Sequence, residues 1–169
     1  MTTQVHPRES FFHEAVRTAF EQKLGLHDPE LIAYIARVLC DFSDPGNLFR
    51  LRDEQGRTIE SIEEMVRASD PIGGTAASFD EERRVRRYIG DYALFVAGMS
   101  QSGATPDLGQ LIAVGKESYY IVSQFNVFEF EKEAPLFARL SGEFERCILG
   151  LAYVREALNE PSASQSPAQ

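Results

Sequence analysis

Residues 86–99 read RRYIGDYALFVAGM, and a single carboxylate, Asp91, stands among apolar neighbours there. An acid taken out of water is costly unless something pairs with it, so Asp91 serves an ion pair, a ligand or proton chemistry. At 3.6 residues per turn, Asp80, Arg84, Arg87, Asp91 and Gly98 fall along one stripe of a helix. Arg87 precedes Asp91 by one turn and Arg84 by two, so the reading the sequence favours is an intrahelical ion pair. If exposed, such a pair contributes only ~0.3–0.5 kcal/mol. A functional reading instead places Asp91 beneath a pocket roofed by Tyr88 and Phe95. In a third, Gly90 ends one helix and Asp91 caps the next.

Other reactive side chains give weaker signals. The run Arg83-Arg84-Val85-Arg86-Arg87 holds four of the seventeen basic residues. It reads as a solvated face balanced by Asp80, Glu81, Glu82 and Asp91, or else as a patch for a phosphate or an acidic partner. The segment from Gly109 to Ser118 resembles a phosphate loop and fails as one, because five residues separate its glycines and Glu117 follows Lys116. Gly90, Gly98 and Gly115 are expected at close helix contacts, with Lys116 reaching solvent along its stem. Glu9 and His13 stand four apart without an evident third ligand, so no metal is expected. Ser100-Gln101-Ser102-Gly103 makes no nucleophile elbow, and Cys40 and Cys147 lie far apart at apolar helical positions, as buried thiols do.

The elements that must position these residues are helical by their spacing, and no alternating strand pattern is evident. A first helix is expected from about Glu9 to Leu24, stopped by Gly25. Asp28 caps and Pro29 opens a second, with a stripe of Leu31, Ile35, Val38, Leu39 and Phe42. Asp44-Pro45-Gly46-Asn47 breaks it, and the charged stretch from Leu48 to Arg57 reads as irregular. A short third helix follows from about Ser61 to Ala68. Ser78 starts a fourth that runs to Met99, and Thr105-Pro106-Asp107 opens a fifth reaching Phe125. A sixth spans about Glu133 to Leu158, where Phe137, Leu140, Phe144, Cys147, Leu151, Val154 and Leu158 recur three and four apart. Helix four loses its charges after Asp91 and helix five carries only Lys116 and Glu117, so these two are expected at the centre.

At 169 residues the chain has the length of one domain: 1–8 read as a flexible start, 9–158 as the helical domain and 159–169 as a disordered tail. A hydrophobic share of 43% is enough for a core and rules out disorder over most of the length. The formal charge of −9 argues against general affinity for nucleic acid or acidic membrane. The start lacks the layout of a signal peptide and the longest uncharged run is too short for a membrane span, so a cytoplasmic location is expected.

Three pieces of the chain carry a resemblance: Tyr34-Ile35-x-x-Val38-Leu39-x-x-Phe42, Arg87-x-x-Gly90-Asp91-x-Ala93-Leu94-Phe95-x-Ala97-Gly98, and Gly115-x-x-x-Tyr119. They resemble a group of uncharacterised bacterial all-helical proteins, with Gly-Asp-x-Ala-Leu-Phe-x-x-Gly as the distinctive motif. In that group Gly98 is often followed by an aromatic residue and Pro, whereas Met99-Ser100-Gln101 stands here. The resemblance implies a helical fold and brings no activity or cofactor with it.

The expected fold is therefore an all-α, single-domain bundle of about six helices. The expected function is a non-enzymatic interaction module that binds itself through the heptad-like seam of its sixth helix, or a protein partner. The alternative is a bundle that binds a small molecule between helices four and five. Arg84, Arg87, Asp91, Lys116 and Tyr119 would be its polar contacts.

Overall fold

The structure, a computed structural model, describes residues 7–100 and 107–160. Residues 1–6 of the expected flexible start, 161–169 of the expected tail and Ser102 lie outside the described residues. The helices run in the order α1 (Pro7–Thr18), α2 (Pro29–Phe42), α3 (Pro45–Leu48), α4 (Ile62–Ser69), α5 (Phe79–Met99), α6 (Leu108–Ser123), α7 (Ala134–Gly142) and α8 (Phe144–Asn159). A π-helical turn, Ala19–Lys23, extends α1, and a 3-10 turn, Phe128–Phe130, precedes α7.

The expectation of about six helices is thus corrected to eight α-helices among the described residues, and the central pair is the fifth and sixth in chain order, α5 and α6. Two local causes raise the number. Asp44 does more than break α2, because its Oδ1 accepts from the Gly46 amide at 3.0 Å and, with Pro45 behind it, starts the single turn of α3. The expected sixth helix breaks at Gly142-Glu143, where Glu143 leaves helical geometry at φ −103° and ψ 17°. The break turns α7 onto α6 and lets α8 run along α5.

Side-chain caps set the starts of the elements that frame the site. Asp28 accepts from the Leu31 amide at 3.2 Å, Ser78 from the Glu81 amide at 3.1 Å, and Asp107 from the Gly109 amide at 2.9 Å. Gly25, at φ +64°, ends the first helical unit in the left-handed conformation that glycine adopts without strain. The stretch after α3 carries one isolated antiparallel bridge, Arg52 to Thr58, folded by Asp53 and Gly56. It tucks Leu51 and Ile59 into the core.

Helix contact at the centre is close because glycines face aromatic and aliphatic side chains. A Cβ at Gly90 would stand 2.6 Å from the Tyr119 ring, and one at Gly98 would stand 2.6 Å from the Leu151 side chain. One at Gly115 would overlap the Phe144 ring. Of the seam residues, Phe137, Leu140, Phe144, Cys147, Leu151 and Val154 are all buried inside this chain; only Leu158 is exposed. The seam is filled by the chain's own core. No described helix is long and apolar enough to cross a membrane.

Candidate functional site

Asp91 lies midway along α5 and is 8% exposed. Helix α5 continues unbroken from Phe79 to Met99, so Asp91 caps nothing and the helix-start reading is set aside. The favoured ion pair is also corrected. Arg84 turns outward and donates to Glu81 at 3.2 Å, and no arginine hydrogen-bonds or salt-bridges Asp91 among the described residues.

Two phenols hold the carboxylate instead. Tyr34 of α2 and Tyr119 of α6 each donate to Oδ1 at 2.7 Å. Gly90 makes the second bond possible, because the Tyr119 ring occupies the space where a Cβ would be. Arg87 acts one step removed: its Nε donates to the Tyr34 hydroxyl at 3.2 Å, and its guanidinium lies over the Tyr34 and Phe137 rings at 5.5 and 5.8 Å. The result is a directed relay in which Arg87 donates to Tyr34 and Tyr34 to Asp91, each bond polarising the next. Edge-on contacts of Tyr34 with Phe137 at 5.4 Å and with Tyr119 at 6.4 Å fix the ring orientations.

Burial dominates the electrostatics. It pushes the Asp91 carboxyl up to about 6, with the two tyrosine hydrogen bonds and the charges of Arg87 and Arg50 pulling the other way. Burial and the adjoining Asp91 charge hold both Tyr34 and Tyr119 well above the ordinary phenol value, so both remain donors. For Arg87, burial opposes the charge, but Tyr34 and Asp91 outweigh it and the guanidinium is held more firmly protonated.

The second carboxylate oxygen, Oδ2, takes no hydrogen bond from the described residues. Asp91 is also one of the residues bordering a cleft of about 310 Å³, with Asp41, Arg50, Leu51, Arg84, Arg87 and Tyr88. A neighbouring cleft of about 470 Å³, containing Tyr34, Arg37 and Lys132, shares Arg87 as its wall. Arg50 spans the Phe42 and Tyr88 rings at 5.5 Å from each. Chemically, the smaller cleft offers guanidinium donors to an anionic group and a carboxylate acceptor to a hydroxyl or an ammonium.

Of the five residues expected to bind a ligand, Arg84, Arg87 and Asp91 line this cleft, and Tyr119 supports Asp91 from the buried side. Lys116 is not brought to it: its Nζ pairs with Glu145 at 2.8 Å on the α6–α8 face. Tyr88 borders the cleft as expected of a roof, while Phe95 packs on Phe42 at 5.4 Å. The basic run is not one solvated face. Arg83 and Arg86 are each only 7% exposed, Arg83 bonded to Glu133 at 2.8 Å and Arg86 to Ser118 at 3.2 Å.

Sequence reasoning missed Tyr34 and Arg50. A tyrosine on the apolar face of α2 was the available signal, since a buried phenol needs a partner. Arg50 offered none. Among the described residues no three His, Cys, Asp or Glu side chains converge as a metal set, and both cysteines are free thiols. The chain matches no protein-family model, no curated protein and no solved structure, so the site is read from its own chemistry.

Proposed function

We propose that this helical bundle binds a small polar molecule in the cleft beside Asp91, without chemical transformation of it. One observation carries the reading: a buried carboxylate has one oxygen fixed by two tyrosines while its residue borders an arginine-lined cleft. A carboxylate needed only for architecture is served as well by an asparagine or by full pairing. The cleft sits at the small end of the ~300–1,000 Å³ typical of ligand sites, which suits a metabolite rather than a peptide. The test is native mass spectrometry of the purified full chain. A co-purifying mass, lost in Arg87→Met, supports the reading; clean protein across independent preparations overturns it.

Self-association is the second reading, favoured by a different surface from the buried seam. An apolar groove of about 310 Å³ between α1 and α8 is lined by residues including Phe11, Ala15, Ala19, Tyr153 and Leu158. Phe11 is 57% exposed and Leu158 39%. A second copy laid along this groove would cover both. Sedimentation across a hundredfold concentration range checks it: a dimer abolished by Phe11→Glu is expected, and a monomer throughout removes the reading. Two free thiols and an acidic surface accord with a place in the cytoplasm.

A further inference from the structure

Resting on the binding reading above, we infer that the Asp91 cleft is built for a zwitterion: a small molecule with a carboxylate held by Arg50 and Arg87 and an ammonium held by Asp41 and Asp91. The cleft is lined by three arginines and two aspartates, of which Arg84 is already paired with Glu81 outside it. These opposite charges do not close on one another. Among the described residues, Arg50 forms no salt bridge and rests on the faces of Phe42 and Tyr88. Arg87 donates to a tyrosine hydroxyl instead of a carboxylate. Asp41 has no salt-bridge partner there either, and Asp91 keeps Oδ2 without a protein donor.

What distinguishes the cleft is that unpaired groups of both signs line one hollow. Here both signs face the same hollow and remain apart. A simple anion would meet the arginines but face two acids; a simple cation would have the reverse difficulty. A molecule carrying both charges satisfies all four groups, and each contact is a charge-assisted hydrogen bond. Tyr34 and Tyr119 contribute by fixing the Asp91 rotamer, so little conformational freedom is lost when a ligand arrives.

Free α-amino acids are the probes, titrated by calorimetry into the full chain at neutral pH, beside acetate, inorganic phosphate and ethylamine. At least one amino acid should bind tenfold or more tightly than any of the three single-charge probes. Arg50→Gln and Asp41→Asn, both at exposed positions, should each weaken that binding at least tenfold, and Asp91→Asn should do the same. Lys116→Gln should leave it unchanged. If acetate or phosphate binds as tightly as the best amino acid, the cleft is a plain anion site; equal binding of ethylamine makes it a cation site. Either result overturns the zwitterion inference and leaves the binding reading standing. No response to any amino acid overturns the inference as well, and the mass-spectrometric test then decides the binding reading by itself.

Discussion

Asp91 separates two accounts of a buried acid by its dependence on pH. Its carboxyl titrates at about 6 in the folded chain against an ordinary 3.8. Between those values the native state holds a proton that the unfolded chain has released, so this group's contribution to stability falls as pH rises through the interval and is level above it. The shift corresponds to about 3 kcal/mol. Partly buried carboxylates such as Asp53 and Asp70 are held low by backbone hydrogen bonds and run the opposite way, so the comparison must be internal. Relative to wild type, Asp91→Asn should gain about 2–3 kcal/mol between pH 4 and pH 7 in urea denaturation; parallel curves would refute the burial account. Tyr34→Phe should act in the other direction, because it deletes one donor to Oδ1 and the acceptor of Arg87 together. It should cost roughly 1–3 kcal/mol at neutral pH and move the Asp91 carboxyl carbon's NMR titration to higher pH.

At the scale of elements, what was legible followed from local chemistry. Asp28 with Pro29, and Ser78, announce helix starts because a cap needs only the next few amides, whereas the start of α6 is capped by Asp107 and not by the residue before a proline. The turn at Gly142-Glu143 was hidden by an unbroken apolar spacing from Phe137 to Val154, since both halves face the same core and the pattern carries across. The Tyr34–Asp91 bond joins residues 57 positions apart, which no local spacing encodes. The burial of Arg83 and Arg86 was equally hidden, because it depends on Glu133 and Ser118 arriving from other elements. Gly90 tests the contact of α5 with α6 that builds the site. Alanine there gains up to about 1 kcal/mol of helix propensity yet meets a fully buried tyrosine ring. Gly90→Ala should therefore lose roughly 1–3 kcal/mol net in thermal or chemical unfolding. Gly142→Ala, with open space around the added methyl, should not be destabilising.

For the molecule as a whole, the deciding fact is that the heptad-like seam closes inside one chain. Phe144 is fully buried in it, against Tyr119 at 5.9 Å and over the Gly115 backbone. Replacing it by alanine removes a ring from the junction of α6 and α8 and leaves a cavity under the tyrosine that holds Asp91. Such a change costs about 3–5 kcal/mol, a large part of the 5–15 kcal/mol that stabilises a typical domain. For a domain of this size each kcal/mol lowers Tm by about 2–4 °C, so Phe144→Ala should melt roughly 6–20 °C earlier. An intermolecular seam would make that loss depend on protein concentration, because dissociation would be part of unfolding. A seam filled from within makes it independent. Melting wild type and Phe144→Ala over a hundredfold range of concentration should therefore give a constant difference, and a difference that changed with concentration would refute the closed seam.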